Sequence, residues 1–167
     1  MDEAEADVAS LKAFVESNGL PINNVAGGST GTAADKPADT VYTQLQAGSY
    51  LFMDSTYQPL NLRFEQSLFM LATVLSVHED TTVLDCGAKS FGMDQNAPVV
   101  VGYEDAEVEV HEEHMLLRGA TGLERGMHVR IIPGHCCTTM NLFDRLAAIE
   151  KGKPIAFFNV TSRGKSQ

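Results

Sequence analysis

The stretch Phe69-Met70-Leu71-Ala72-Thr73-Val74-Leu75-Ser76-Val77, followed after the acidic turn His78-Glu79-Asp80 by Thr82-Val83-Leu84, decides the fold. Both runs are apolar and rich in β-branched residues, and a turn separates them, so they read as successive strands. Toward the C-terminus the pattern continues through Val99-Val100-Val101, the alternating 106–110, Met115-Leu116-Leu117 and Val129-Arg130-Ile131-Ile132. Gly119, Gly122 and Gly126 punctuate these segments. Short strands at regular spacing predict a small antiparallel β domain. Residues 141–149 are predicted as one or two helical turns, and 155–160 as a final strand.

Toward the N-terminus the character differs. Residues 3–17 predict a helix: Val8, Leu11 and Val15 recur at helical spacing, acidic residues crowd the first turn, and Gly19 follows as a cap. Pro21-Ile22-Asn23-Asn24-Val25 reads as a short strand running into Gly27-Gly28-Ser29-Thr30-Gly31-Thr32. Residues 33–40 are small and polar and predict a loop, and 43–53 a second strand interrupted by Gly48-Ser49. Helix, strand, loop, strand is an α/β rhythm. The fold class expected is therefore α+β, mainly β: a piece of α/β structure followed by an antiparallel β domain.

The 167 residues carry 12 Lys+Arg against 22 Asp+Glu, a net charge of −10. Nucleic-acid affinity rests on clustered Lys and Arg, so this balance argues against a phosphate-backbone binder. A hydrophobic fraction of 44% with 20% charged residues is ordinary for a globular chain and argues against wholesale disorder. No apolar run approaches the roughly 20 residues that span a bilayer, and no signal peptide is visible, so no membrane partner is expected. Cys86, Cys136 and Cys137 make an odd count with two adjacent, which disfavours a disulfide framework and points to a reducing, cytoplasmic compartment.

Two motifs carry chemistry. In 27–32, glycines let the backbone approach a phosphate, while N–H groups and Ser and Thr hydroxyls can satisfy its oxygens. A Walker A lysine and the dinucleotide spacing are both absent, so taken alone the segment reads equally as a flexible surface loop. In Pro133-Gly134-His135-Cys136-Cys137, an imidazole and a thiol two residues apart would point the same way if the backbone is extended. Both suit Zn²⁺ or a related ion, and two ligands would leave positions open for water or substrate. The plainer alternative is a small buried cysteine beside a turn histidine. His78, His111 and His114 read as exposed turn or strand-face residues, and Asp85, Lys89 and Asp94 as an ion-pair network or the edge of a site.

In combination these segments are more specific. Gly27 to Thr32, Leu45-Gln-Ala-Gly-Ser-Tyr-Leu-Phe-Met-Asp54, Leu84-Asp-Cys-Gly-Ala-Lys89, Glu112-Glu-His114, and Pro133-Gly-His-Cys-Cys137 with Asn141-Leu142 occur in one order. In that order the chain resembles the D-threonine aldolase and D-serine dehydratase family of metal-activated, fold-type III pyridoxal-phosphate enzymes. The resemblance covers essentially the whole chain but only the C-terminal part of the family.

The resemblance implies that residues 1–58 are the closing fragment of a (β/α)8 barrel and 59–167 a β domain carrying the metal site, in an alanine-racemase-like enzyme. A barrel alone takes about 250 residues, so this length holds only its end. Gly28, Ser29 and Thr30 would hold the cofactor phosphate, with Gly48, Ser49 and Tyr50 beside them. His135 and Cys137 would be the metal ligands. The aldolase pattern resembles His-x-Asp there and the dehydratase branch His-x-Cys; a thiolate favours zinc-like ions over magnesium or manganese, with Mn, Mg or Co as the alternatives to Zn. The surrounding 47–54 and 133–135 look aldolase-like. The implied reaction is retro-aldol cleavage of a small D-3-hydroxy amino acid to aldehyde plus glycine; the alternative is ammonia-releasing dehydration of D-serine or D-3-hydroxyaspartate to a 2-oxo acid.

The family's Schiff-base lysine lies on the first barrel strand and its base in the middle of the barrel. Lys12, Lys36 and Lys89 match neither motif, so no catalytic residue is assigned and this chain alone is expected to be inactive, a non-catalytic fragment being the third reading. The intact enzyme is expected to be a homodimer, and an exposed barrel edge predicts association of residues 1–58.

Overall fold

The structure is a computed structural model that describes residues 3–33 and 39–165; Lys36 and most of the loop predicted over 33–40 lie outside them. The chain divides into two compact units, Met1–Leu51 and Phe52–Gln167.

In the first unit, α1 (Glu3–Ser17) occupies the predicted helix. Its anchor is polar: Glu5, 1% exposed, accepts the Val41 N–H at 2.9 Å and the Thr40 hydroxyl. Leu11 and Phe14 stand exposed on the same helix. Strands β1 (Ala26–Gly27) and β2 (Gln44–Leu45) pair in parallel, Ala26 against Gln44 and Gly27 against Leu45. Both are shorter than the sequence predicts, and 21–25 contain no strand. Thr43 accounts for part of this: its hydroxyl accepts the Val25 N–H at 2.9 Å, a side chain satisfying a donor that a longer strand would pair with backbone. After β2 the chain turns through a 3-10 segment, Ser49–Leu51.

The second unit is built on a six-stranded antiparallel sheet. Its strands are β3 (Met70–His78), β4 (Thr81–Leu84), β5 (Val99–Val100), β6 (Glu107–Val110), β7 (Met115–Arg118) and β8 (His128–Ile132), in the order β5-β8-β3-β4-β7-β6. β3 divides its length between two partners, 70–73 pairing with β8 and 74–78 with β4. A register shift between Val74 and Ser76 lies at this changeover, and such bulges bend a strand and increase its twist. Strand alternation then fills one core. Ala72 and Val74 of β3, Leu84 of β4, Met115 and Leu117 of β7, and Val129 and Ile131 of β8 pack with Phe91 and Val100.

Beyond β8 the structure departs from the sequence prediction. The helical segment α2 (Cys136–Met140) comes earlier than predicted, and 145–150 are strand rather than helix. β9 (Arg145–Glu150) pairs antiparallel with β10 (Lys153–Asn159) as a separate hairpin. Lys151 and Gly152 have φ of 50° and 76°, the left-handed pair that closes a two-residue hairpin. Cross-strand pairing to β10 outweighs the helical preference of Leu146, Ala147 and Ala148. No helix among the described residues is long and apolar enough to cross a membrane.

Candidate phosphate loops and metal-ligand segment

Because β1 and β2 run parallel, the loops leaving their carboxyl ends emerge at the same edge. Gly28-Ser29-Thr30 leaves β1, and Gly48-Ser49-Tyr50 follows β2 after two residues. The Tyr50 N–H donates to Thr30 Oγ1 at 3.0 Å, joining the two loops directly. Ser29 N–H donates to Thr32 Oγ1 at 3.0 Å and Thr32 N–H to Ser29 O at 3.2 Å, so the glycine segment is a tight turn. Thr30 and Ser49 are buried, whereas Gly28 and Gly48 are exposed, and a Cβ at Gly48 would meet nothing within 4 Å. Accessible glycine backbone flanked by hydroxyls at a strand-end edge fits a phosphate group.

In the second unit, the 133–137 segment is fixed by main-chain contacts. Ser55 N–H donates to Pro133 O at 3.0 Å, Thr56 Oγ1 to Gly134 O at 2.7 Å, and Ser55 Oγ to Ala97 O at 2.8 Å. Asp54 is fully buried (0% exposed). One of its oxygens accepts the N–H groups of Thr56 and Tyr57 at 3.1 and 3.2 Å, and the other accepts Cys136 N–H at 2.8 Å. Asp54 therefore caps the first residue of α2. Gly134 leaves no room for a side chain, since a Cβ there would lie 1.6 Å from Asn96 O.

His135 precedes α2 with extended backbone, φ −142° and ψ 116°, while Cys137 is the second helical residue. The extended geometry expected for the whole His-x-Cys triplet thus holds at His135 only. The His135 Nδ1 lies 2.6 Å from Asp94 Oδ2, and Thr138 Oγ1 donates to Asp94 Oδ1 at 2.6 Å. These contacts, Thr138 first, hold the Asp94 carboxyl below the usual carboxylate range. Cys136 is buried and Cys137 exposed, with the sulfurs 3.9 Å apart and no disulfide. Buried Cys86 is a different environment: desolvation, then the neighbouring Asp85 charge, pushes its thiol up to about 12.

A carboxylate cannot donate, so Asp94 fixes Nδ1 as the donor and leaves the Nε2 lone pair of a neutral His135 available. One imidazole nitrogen and one exposed cysteine sulfur fit a zinc-like ion with further positions filled by other groups. Among the described residues, no group of three or more His, Cys, Asp and Glu side chains is placed to hold a metal ion.

Of the remaining sequence candidates, His111, Lys89 and Lys12 are ion-paired at the surface, and Asp85 Oδ1 accepts the Thr73 N–H at 2.6 Å. His111 Nε2 lies 3.1 Å from Glu109 Oε1, and its N–H donates to His114 O at 2.8 Å across the β6–β7 turn. Lys89 Nζ sits 2.6 Å from Glu113 and 2.9 Å from Glu112, which raise its pKa. Lys12 pairs with Glu16 along α1 at 4.0 Å. Asp54 meets Cys136 and Asp94 meets His135 across 82 and 41 residues of sequence, separations that no local pattern encodes.

Residues 67–149 match the putative serine dehydratase domain family. A D-threonine aldolase from Arthrobacter is 34% identical over 174 residues, covering 99% of this chain and 46% of the relative. The crystal structure of D-threonine aldolase from Filomicrobium marinum matches with a TM-score of 0.88 and 28% identity, over 98% of this chain and 48% of that one. D-threo-3-hydroxyaspartate dehydratase from Delftia shares the fold, with a TM-score of 0.78 and 21% identity over 93% of this chain and 49% of that one. The chain spans about half the length of the relatives it matches. Its mainly β architecture and its sequence agree: the chain belongs to the D-threonine aldolase and D-serine dehydratase-like family.

Proposed function

We propose that this chain is the C-terminal part of a pyridoxal-phosphate- and divalent-metal-dependent lyase that cleaves D-3-hydroxy amino acids between Cα and Cβ, as a D-threonine aldolase does. Residues 1–58 belong to the barrel in this reading and 59–167 form the metal-carrying β domain. The observation that carries it is His135, its Nδ1 taken by Asp94 at 2.6 Å and its chain continuing into exposed Cys137. His135 Nε2 and Cys137 Sγ hold the ion, zinc by donor chemistry. Gly28, Ser29, Thr30, Gly48, Ser49 and Tyr50 hold the phosphate. When bound, pyridoxal phosphate accepts the electrons released at Cα, and the ion acts as Lewis acid toward the substrate 3-hydroxyl. Asp54 and Asp94 orient the ligand segment, and the turn at Ser29–Thr32 shapes the phosphate loop. A cytoplasmic homodimer is the form expected from the family resemblance, and three cysteines outside any disulfide suit a reducing compartment.

Two alternatives rest on specific residues. Cys137 in place of a carboxylate favours a dehydratase acting on D-serine or D-3-hydroxyaspartate. Lys12 and Lys89, which match no attachment motif and are engaged by Glu16 and by Glu112 and Glu113, favour a chain that carries no covalent cofactor attachment by itself.

One assay separates the readings. The longest gene product containing these residues is incubated with pyridoxal phosphate, Zn²⁺ or Mn²⁺, and, in separate reactions, D-threonine, D-serine and D-3-hydroxyaspartate. Glycine plus an aldehyde establishes the aldolase, and a 2-oxo acid plus ammonia the dehydratase. Neither product under any metal overturns both. Borohydride reduction of the 167-residue chain with equimolar pyridoxal phosphate gives no stoichiometric label at a single lysine if the attachment lysine lies elsewhere.

A further inference from the structure

Three contacts tie the loop 92–94 to His135 and helix α2, and a fourth joins Thr139 to His135. Gly92 N–H donates to Thr139 Oγ1 at 2.9 Å, and Thr139 Oγ1 in turn donates to His135 O at 2.7 Å. Thr138 Oγ1 donates to one Asp94 oxygen at 2.6 Å, and the other Asp94 oxygen meets His135 Nδ1 at 2.6 Å. The approach of loop to helix is so close that a Cβ at Gly92 would lie 1.9 Å from Thr138 Oγ1. The His135 side chain is 18% exposed, against 46% for the Asp94 side chain.

We propose that Asp94 is a positioning residue for the metal ligand His135, fixing its ring orientation and Nδ1–H tautomer so that Nε2 is presented to the ion, with Thr138 setting the Asp94 carboxylate in turn. The proposal rests on the reading of His135 and Cys137 as ligands and adds the residues that aim one of them. An ordinary surface ion pair would need only proximity. Here both carboxylate oxygens are engaged, one by the ligand His135 itself and the other by Thr138 next to Cys137, which fixes the carboxylate plane relative to the ring. Outer carboxylates of this kind fix a ligand histidine's tautomer and raise its basicity, and their loss weakens metal binding by about 10–100-fold.

The test uses the 167-residue chain and Zn²⁺ alone, with affinity read by competition against a chromophoric chelator. The thiolate-to-metal absorption of the Co²⁺ form is read in parallel. Asp94→Ala is expected to bind Zn²⁺ about 10–100-fold more weakly than wild type. Asp94→Asn, which keeps an acceptor oxygen without the charge, should fall between them, and Thr138→Val should weaken binding less than Asp94→Ala. ¹⁵N chemical shifts of metal-free His135 at neutral pH give a second readout that a purely structural role would not move. Wild type should show the Nδ1–H tautomer, and Asp94→Ala should lose that preference.

Wild-type affinity in Asp94→Ala, with binding abolished by His135→Ala and by Cys137→Ser, overturns the role of Asp94 and leaves the ligand reading intact. An Asp94→Ala protein that is merely less thermostable, with unchanged affinity and tautomer, overturns it as well. Wild-type affinity in both His135→Ala and Cys137→Ser, or no binding by the wild type, overturns the ligand reading itself.

Discussion

Asp54 and Cys136, 82 residues apart in sequence, are joined by a 2.8 Å hydrogen bond from the Cys136 N–H to a fully buried carboxylate oxygen. This contact places the start of α2 and, with it, the His135–Cys137 segment. Asp54→Ala removes the acceptor of three N–H groups at once. Hydrogen bonds to charged groups contribute about 1.5–3 kcal/mol each, so the loss should be about 3 kcal/mol or more. Urea denaturation followed by far-UV circular dichroism measures it; a loss within about 0.5 kcal/mol of wild type, the usual effect of a surface substitution, would contradict this role.

Gly134→Ala forces a Cβ to 1.6 Å from the Asn96 carbonyl oxygen. Backbone cannot rotate away as a flexible side chain can. The expected loss is at the upper end of the about 1–3 kcal/mol typical of overpacking, or failure to fold. Thermal unfolding of the variant beside Gly48→Ala, where the added methyl meets nothing, checks that the effect is local crowding rather than a general intolerance of alanine for glycine.

The three cysteines should react as two classes. Cys86 and Cys136 are buried and Cys137 is exposed. With the Cys86 thiol pushed up to about 12, it carries almost no thiolate at pH 8. Ellman's reagent should therefore titrate one thiol rapidly in the native chain and the remaining two only on denaturation, and Cys137→Ser should remove the rapid phase. Three rapid thiols would show that Cys86 and Cys136 are not shielded.

Glu109 offers a pH test. The Arg118 hydrogen bond, at 2.7 Å, is the main cause of its lowered pKa. A depressed carboxylate stabilises the fold in full above the ordinary glutamate range, about pH 4.3. That contribution fades as pH falls through the lower folded-state value. Glu109→Gln should thus lower the melting temperature slightly at pH 7, the pair being solvent-exposed. The difference from wild type should close on acidification, and a gap that widens in acid would contradict the sign.

Much of the second unit was legible because its strands obey a local rule. β3, β4, β6, β7 and β8 alternate or run apolar between turn residues, and each lies within two residues of its predicted position. α1 was legible for the same reason, its spacing and acidic first turn being local signals. What failed was non-local. Cys136, Thr138 and Thr139 are poor helix formers, yet they sit in a helical segment capped by an acidic residue 82 positions away. Arg145–Glu150 carries helix-favouring residues, yet it is held as strand by β10. His135 and Cys137 were visible as donors at a suggestive spacing. Asp94 was visible as a charge, but nothing in the sequence connects it to a histidine 41 residues on.

The segment bearing His135 and Cys137 is located by carbonyls of Pro133 and Gly134, by the close approach of Gly134 to Asn96, and by a bond to the Cys136 amide. None of these involves the side chain at 137. The path of this segment is therefore set largely by contacts to its backbone. In the reading proposed above, an exchange at position 137 would change the donor offered to the ion while these backbone contacts stayed in place.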